Sequence, residues 1–116
     1  MANIVIYQKP TCTTCRDVYH ILKESGVDFE SVNYYIDPIP KKKMKELLGK
    51  LGMPAQDLLR TKEPIYEELG LDKKILSEEE IIGLMEQYPD LLQRPIVEKG
   101  ARAILARPAA RIKEIL

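Results

Sequence analysis

Residues 3–16, NIVIYQKPTCTTCR, decide the fold, because a short apolar run leads directly into the two cysteines of the chain. The run NIVIY (residues 3–7) is rich in β-branched residues and predicts a buried strand. RDVYHILKESG (residues 16–26) has apolar residues at helical spacing and ends in a glycine, which is typical of a helix C-terminus. The CxxC pair therefore lies where a strand turns into a helix.

A second strand is predicted after this helix. VDFESVNYYI (residues 27–36) is rich in Val, Tyr and Phe and is typical of a strand. A strand, a helix and a strand in this order form a β-α-β unit, in which the strands are parallel and the crossover is right-handed.

The middle of the chain, at about residues 40–92, predicts a helical insert. Apolar residues recur at helical spacing from Met44 to Leu51. Ser77 and Glu80 have the spacing of a capping box, which predicts a helix start at that point. Breaks between the helices are predicted at Pro54, Pro64 and Gly70.

The C-terminal part returns to strands. PIVEKGARAIL (residues 95–105) predicts a hairpin, and RPAARIKEIL (residues 107–116) predicts a last helix with Pro108 in its first turn. The order β-α-β, helical insert, β-β-α predicts an α/β, thioredoxin-like fold with a mixed central sheet. We expect residues 1–116 to form a single domain that carries the insert.

Composition limits the possible partners. The 116 residues contain 18 Lys and Arg against 18 Asp and Glu, so no overall charge attracts the chain to nucleic acid or to a membrane. Its apolar runs are far shorter than the roughly 20 residues that span a bilayer. The N-terminus has no basic segment and is not expected to be a signal peptide. Two cysteines in such a chain favour a reducing compartment, and we expect a cytoplasmic monomer.

Cys12 is the predicted nucleophile. A thiol at a helix N-terminus has a lowered pKa, because unpaired backbone N–H groups and the helix dipole stabilise the thiolate. Cys15, one turn later, is within reach of Cys12 and is the natural resolving thiol. Lys9 and Arg16 add positive charge nearby.

Two other interpretations of the cysteines remain open. Both could be inert core residues, or they could form half of a zinc site. Zinc takes four ligands, and His20 is the one histidine of the chain, so a complete site would have to be intermolecular. We expect His20 to be a surface or packing residue, and we expect no bound metal or organic cofactor.

Three arginines complete the candidate site. Arg60 is predicted to end a helix of the insert, whereas Arg94 and Arg107 precede prolines, which favours extended backbone with side chains projecting from loops. A thioredoxin-type fold places a cis-proline against the cysteine loop, and Pro95 at the start of the third strand suits that position. Arg94 would then point at Cys12. Arginine binds oxyanions through two hydrogen bonds, although any one of these residues could instead form a surface salt bridge.

With these residues the chain resembles a known family, the glutaredoxin-linked arsenate reductases, and their relatives, the Spx-type transcriptional regulators. The resemblance covers nearly the whole chain. It implies that Cys12 attacks arsenate, that Arg60, Arg94 and Arg107 bind the oxyanion, and that glutathione with glutaredoxin, or thioredoxin, supplies the electrons. The matching stretches are IVIYQKPTCTTCR (residues 4–16), LLRTKEPIYEELGL (58–71), YPDLLQRPIV (88–97) and LARP (105–108).

The chain departs from these reductases at three positions. They commonly have His at the position of Gln8 and Asn at the position of Lys9, and Lys9 is a candidate for the charge that the missing His would supply. They usually have Ser at the position of Cys15, where the Spx-type proteins have Cys. Cys12 could therefore be resolved by Cys15 or by an external thiol.

Three functions follow, of which the arsenate-reducing enzyme is the one that uses every singled-out residue. The second is a redox-sensing regulator that binds RNA polymerase, with a Cys12–Cys15 disulfide as its switch. The CxxC pair favours that hypothesis, but the three arginines do not, because a regulator holds no oxyanion. The third is a general disulfide reductase, which would have no use for the arginines.

Overall fold

The computed structural model describes residues 3–116, which divide into two compact units. One unit contains the chain up to Asp37 together with Arg94–Leu116, and the other is Pro38–Gln93. The predicted insert has nearly the bounds of the second unit, and its membership of one folding domain stays a prediction. Within residues 3–116, no helix combines the length and the apolar composition needed to cross a membrane.

The first unit is built on a four-stranded sheet with the order β2-β1-β3-β4. β1 and β2 are parallel, whereas β3 pairs antiparallel with both β1 and β4. The predicted thioredoxin-like α/β fold with a mixed sheet is confirmed. The elements of this unit are β1 (Ile4–Gln8), α1 (Thr13–Glu24), β2 (Phe29–Asn33), β3 (Ile96–Lys99), β4 (Arg102–Leu105) and a 3₁₀ helix (Ala109–Glu114).

The core of this unit lies between the sheet and α1. Ile4 and Ile6 face the same side of β1 and pack with Val18 and Leu22, two of the buried residues of α1. Ile112 of the C-terminal 3₁₀ helix belongs to the same cluster. Because Ile6, Val18, Leu22 and Ile112 are all fully buried, this packing fixes α1, and with it the cysteine loop, against the carboxyl end of β1.

Two elements differ from their predicted form. The second strand ends at Asn33 rather than at residue 36, because Asn33 forms a turn. Its side-chain oxygen accepts a hydrogen bond from the Tyr35 N–H at 3.0 Å, and its carbonyl accepts from the Ile36 N–H at 3.0 Å. The last helix is a short 3₁₀ helix, and Pro108 precedes it in extended conformation instead of lying in its first turn.

The second unit is helical, as predicted. α2 buries Met44, Leu47 and Leu48 on one face and ends at Gly52, whose φ of 68° is the left-handed conformation that favours glycine. The helices of this unit are α2 (Lys41–Leu51), α3 (Ala55–Leu58), α4 (Pro64–Glu68) and α5 (Glu78–Gln87), with 3₁₀ helices at Leu71–Lys73 and Pro89–Leu91.

The predicted capping box at the start of α5 is confirmed. The Ser77 hydroxyl accepts a hydrogen bond from the Glu80 N–H, and the Glu80 carboxylate accepts one from the Ser77 N–H, each at 3.2 Å. Replacing Ser77 by Ala leaves a helix-end N–H without its acceptor and should lower the free energy of unfolding by about 1 kcal/mol. Urea denaturation measures this change. Ser77→Asn restores an acceptor and should recover most of the loss, whereas equal losses for both variants would contradict the capping role.

Candidate active site

Cys12 is the N-cap residue of α1. Its backbone is extended, with φ of −83° and ψ of 125°, and its carbonyl accepts the Arg16 N–H at 3.0 Å as the helix begins. Its own N–H donates to the Lys9 carbonyl at 3.0 Å, which closes the loop after β1. The Cys12 sulfur accepts the Cys15 N–H at 3.4 Å. A thiolate at this position satisfies an N–H group of the first turn that would otherwise have no acceptor.

Cys12 and Cys15 have opposite environments. Cys12 is half-buried, whereas Cys15 is 0% exposed. Burial raises the pKa of Cys15 to about 12. A hydrogen bond from the Lys9 backbone opposes this rise, the nearby Cys12 adds to it, and the charge of Arg94 opposes it most weakly. The Cys15 thiol therefore stays protonated at neutral pH and hydrogen-bonds to the Cys12 sulfur.

The pKa of Cys12 is lowered. Burial alone would raise it, but hydrogen bonds from the Cys15 N–H, the Cys15 thiol and the Arg94 guanidinium, with the charge of Arg94, outweigh that effect. For Cys12 this is the direction that its position at a helix N-terminus predicts. Cys12 is the residue that can act as a thiolate, and Cys15 is a protonated thiol in contact with it.

Arg94 faces Cys12 from the start of the third strand. The Arg94–Pro95 peptide bond is cis, as expected, and the guanidinium hydrogen-bonds to the Cys12 sulfur. Arg94 lies in the loop before β3 and its side chain points at Cys12, as predicted, but the residue is buried, at only 6% exposed. A buried arginine next to a thiolate is a positive charge held in a poorly solvated place, where it interacts strongly with anions.

Two tyrosines that the sequence analysis did not single out surround Arg94. The Tyr35 hydroxyl accepts a hydrogen bond from Arg94 Nη1 at 3.5 Å, and Tyr34, 2% exposed, hydrogen-bonds to the same guanidinium. Burial by itself lowers the pKa of Arg94, but Tyr34, Tyr35 and Cys12 raise it above its ordinary value, so Arg94 stays charged. One signal could have found this pair. The tyrosines directly follow β2, which is parallel to β1, so both loops leave the same edge of the sheet.

Arg107 lies beside the backbone of Arg94. Its Nη1 donates to the Arg94 carbonyl at 3.3 Å, and the Arg107–Pro108 peptide bond is also cis. The side chain is exposed, in agreement with a residue that projects from a loop. In the first unit Cys12 therefore contacts both Cys15 and Arg94, and Arg107 lies against Arg94.

Arg60 belongs to the Pro38–Gln93 unit. The prediction that it ends a helix is wrong, since α3 ends at Leu58. Leu59 instead forms an isolated β-bridge with Leu92, and the Arg60 N–H donates to the Leu91 carbonyl at 2.6 Å. Because these backbone groups pair with residues 91 and 92, they do not continue the helix. The guanidinium forms an ion pair with Glu63 at 2.9 Å. Its role in oxyanion binding stays a prediction.

The other polar residues of the loop have varied surroundings. The Lys9 ammonium lies 4.9 Å from the centroid of the Tyr35 ring, and Gln8 donates a hydrogen bond to Ser31.

Arg16 and His20 are exposed. The centroids of the His20 and Tyr19 rings are 6.1 Å apart in an edge-on arrangement, and the exposure of His20 confirms its predicted surface position. A groove of about 260 Å³ beside the loop is lined by Gln8, Pro10, Arg16, Tyr19 and His20.

Metal ligands are not grouped in the part of the chain that the structure describes. Residues 3–116 contain no set of three or more His, Cys, Asp or Glu side chains placed to hold one ion. The groups that do converge are a thiolate, a protonated thiol and a buried guanidinium. This combination can bind an anion beside a nucleophilic sulfur and can pass two electrons through formation of a disulfide.

Comparison with known proteins finds one matching family and relatives of similar length. The model of the ArsC family matches residues 7–115. The "Uncharacterized protein YfgD" of Escherichia coli strain K12 is 40% identical over 115 residues, 98% of this chain and 97% of that protein. An arsenate reductase of Yersinia enterocolitica is 35% identical over 116 residues, 100% of this chain and 82% of that protein. The solved structure of an arsenate reductase from Vibrio cholerae has a TM-score of 0.93 at 30% identity and covers 100% of both chains.

The pH dependence of alkylation tests the two thiol environments. Because the pKa of Cys12 is lowered and that of Cys15 is about 12, iodoacetamide should label Cys12 alone between about pH 6 and 8. Arg94→Ala should move the Cys12 profile to higher pH, because a hydrogen bond and a positive charge are lost. Peptide mass spectrometry measures both sites. Arg16→Ala removes the same charge from an exposed position and is the control. Labelling of Cys15 first, or equal shifts in both variants, would contradict the assignment.

Oxidation tests the contact between the two thiols. Mild oxidation should convert Cys12 and Cys15 to an intramolecular disulfide, because the two residues between them keep the sulfurs within bonding distance. The intact mass should fall by two hydrogens, with no dimer on a non-reducing gel. In Cys15→Ser, the same treatment with glutathione present should leave a mixed disulfide on Cys12. A stable glutathione adduct on the wild-type protein would instead indicate that Cys15 does not resolve Cys12.

Proposed function

The chain belongs to the ArsC family, and on this premise we propose that it is a thiol-dependent arsenate reductase whose nucleophile is Cys12. The observation that carries the proposal is the buried guanidinium of Arg94, which hydrogen-bonds to the Cys12 sulfur. A general disulfide exchanger needs only the thiols. A guanidinium fixed beside the thiolate gives an oxyanion a binding site next to the atom that attacks it.

Arg94, Arg107 and Arg60 are the proposed oxyanion ligands. Arg94 is already charged and oriented, and Arg107 is anchored to the Arg94 carbonyl while the rest of its side chain is exposed. For Arg60, binding would require the guanidinium to exchange its partly exposed ion pair with Glu63 for the substrate. Such an exchange costs little, because partly exposed ion pairs contribute roughly 0–1 kcal/mol.

The first chemical step is attack of the Cys12 thiolate on arsenic. A sulfur–arsenic bond forms and one arsenate oxygen leaves as water after it takes up protons, so arsenic remains As(V). Negative charge develops on the arsenate oxygens as the bond forms. The guanidinium of Arg94 stabilises this charge, and because it is held in place beforehand, little reorganisation is needed.

Cys15 completes the reduction in the second step. Its sulfur attacks the Cys12 sulfur, a disulfide forms, the sulfur–arsenic bond breaks, and the bonding pair stays on arsenic, which leaves as arsenite, As(III). The proton of Cys15 passes to an arsenate oxygen. Cys12 contributes to the high pKa of Cys15, so that contribution falls once the Cys12 sulfur is bonded to arsenic and carries no charge.

An external thiol then restores the enzyme. Thiol–disulfide exchange at the half-buried Cys12, with glutathione and glutaredoxin or with thioredoxin, reduces the Cys12–Cys15 disulfide and balances the two electrons given to arsenic. Because the cycle consumes reduced thiols, we place the protein in the cytoplasm. The proposed cycle uses no bound metal or organic cofactor.

A redox-sensing regulator is the second candidate, and Cys15 is the observation that favours it. A buried thiol that hydrogen-bonds to Cys12 suits a reversible disulfide switch as well as a catalytic one. In that function Arg94 would only lower the pKa of Cys12, so oxyanions would have no effect on the thiol. Added arsenate should therefore protect Cys12 from alkylation by iodoacetamide if the protein is the enzyme, and should give no protection if it is the regulator.

Steady-state kinetics of arsenate reduction, with glutaredoxin or thioredoxin as reductant, test the proposal. Arg94→Ala should lower kcat/KM by about a hundredfold or more, since loss of one positioned donor to a developing oxyanion costs roughly 3–4 kcal/mol. Arg94→Lys should recover only part of the loss, because an ammonium cannot make the two-pronged contact. Arg60→Ala and Arg107→Ala should lower kcat/KM in the same direction.

Arg102→Ala is the matched control, because Arg102 is exposed and its contact is a 3.3 Å hydrogen bond to the Glu114 carbonyl. Its kcat/KM should equal that of the wild type, and thermal unfolding should show that all variants are folded. Absence of arsenate turnover with either reductant, together with no protection of Cys12 against iodoacetamide by added arsenate, would rule out the enzyme and favour the regulator.

A further inference from the structure

We propose that Tyr35 is a positioning residue, which orients the Arg94 guanidinium toward Cys12 and through which Lys9 acts on the site. The inference rests on the proposed role of Cys12 as the nucleophile, but not on the identity of the oxyanion. The sequence pattern assigns no role to Tyr35. For Lys9 it predicts a direct effect of the positive charge on Cys12, whereas here Lys9 acts through Tyr35.

The backbone of Tyr35 is fixed beside the cysteine loop. Its N–H donates to the Asn33 side chain at 3.0 Å, and the Asn33 carbonyl accepts the N–H groups of Ile36 and Asp37 at 3.0 and 2.9 Å. Asn33 itself pairs in register with Gln8, the last residue of β1. The turn after β2 therefore places the Tyr35 ring at the edge of the sheet from which the cysteine loop starts.

The Tyr35 hydroxyl restricts Arg94. An arginine side chain has many rotamers and loses conformational entropy when it is fixed, so its orientation depends on the groups that hold it. Arg94 is 6% exposed, and its Nη1 donates to the Tyr35 hydroxyl at 3.5 Å. With this arm of the fork directed at Tyr35, the guanidinium is oriented so that it also reaches the Cys12 sulfur.

Lys9 reaches the site through the ring of Tyr35. Its carbonyl accepts the Cys12 N–H at 3.0 Å, so its backbone belongs to the cysteine loop, but its ammonium lies 4.9 Å from the Tyr35 ring centroid. A cation over a tyrosine face is attracted by the ring quadrupole and holds the ring in one plane. We therefore expect Lys9 to restrict the orientation of the Tyr35 ring, and the Tyr35 hydroxyl to restrict the orientation of the Arg94 guanidinium.

The first test is a double-mutant cycle between Tyr35 and Arg94, read as the rate of Cys12 alkylation by iodoacetamide against pH. Tyr35→Phe removes only the hydroxyl, and we expect it to move the profile to higher pH and to slow alkylation at pH 6.5 by about fivefold, the usual effect of one hydrogen bond. In the Arg94→Ala background the same substitution should have no further effect. A wild-type profile for Tyr35→Phe, or an undiminished effect without Arg94, would overturn the proposal.

The second test separates an indirect from a direct effect of Lys9. Lys9→Met removes the ammonium and keeps most of the stem, and it should slow Cys12 alkylation in the wild-type background. Tyr35→Leu removes the ring, and in that background Lys9→Met should change nothing. An equal effect of Lys9→Met in both backgrounds would mean that the ammonium acts directly on the thiolate, and this part of the proposal would be wrong.

Tyr19→Phe is the matched control, because Tyr19 lies in the same unit, packs edge-on against Phe29 with ring centroids 5.4 Å apart, and is not one of the residues described above that hydrogen-bond to Arg94, which are Tyr34, Tyr35 and Cys12. It should leave the alkylation profile unchanged, and equal unfolding temperatures should show that all variants are folded. Alkylation does not require arsenate turnover. A protein that reduces no arsenate but shows the Tyr35-dependent profile would refute the proposed function and support the positioning role.

Discussion

The structure of the site depends on one interaction, the acceptance of the Cys15 N–H by the Cys12 sulfur at the first turn of α1. The N-terminus of a helix has N–H groups without backbone acceptors, and a thiolate there is stabilised by them and by the helix dipole. The interaction requires α1 to begin at Thr13, directly after the loop that closes between Lys9 and Cys12. Packing of α1 on β1 holds this geometry.

A second requirement is that the positive charge stays next to the sulfur. Arg94 is buried, and burial alone would work against its charged form. Two tyrosines and the Cys12 thiolate compensate, so that the guanidinium and the thiolate support each other's charge. Such a pair is costly to desolvate, and it persists only where geometry and hydrogen bonds are good. In the proposed function the cost is offset during catalysis, when the same guanidinium meets the charge on the oxyanion.

Much of this could be predicted from the sequence, because the deciding signals are local. A CxxC pair between a strand and a helix places Cys12 at the cap and Cys15 inside the first turn, whatever the rest of the chain does. The proline after Arg94 indicated the start of β3 and a cis peptide bond at that point. The remaining features depend on tertiary contacts. Burial of Arg94 is decided by neighbours distant in sequence. The conformation at Arg60 is decided by the bridge between Leu59 and Leu92, which no local sequence pattern predicts.

In the proposed cycle Cys12 attacks the oxyanion, and Cys15, buried and protonated beside it, releases the reduced product. A single-turnover experiment measures this most directly. Fully reduced protein is mixed with arsenate without any external reductant, and arsenite and the intact protein mass are followed together. We expect close to one arsenite per chain, formed together with the loss of two hydrogens at Cys12 and Cys15, and none from Cys12→Ser. No arsenite from a wild-type protein whose Cys12 remains reactive to iodoacetamide, or equal arsenite from Cys12→Ser, would contradict it.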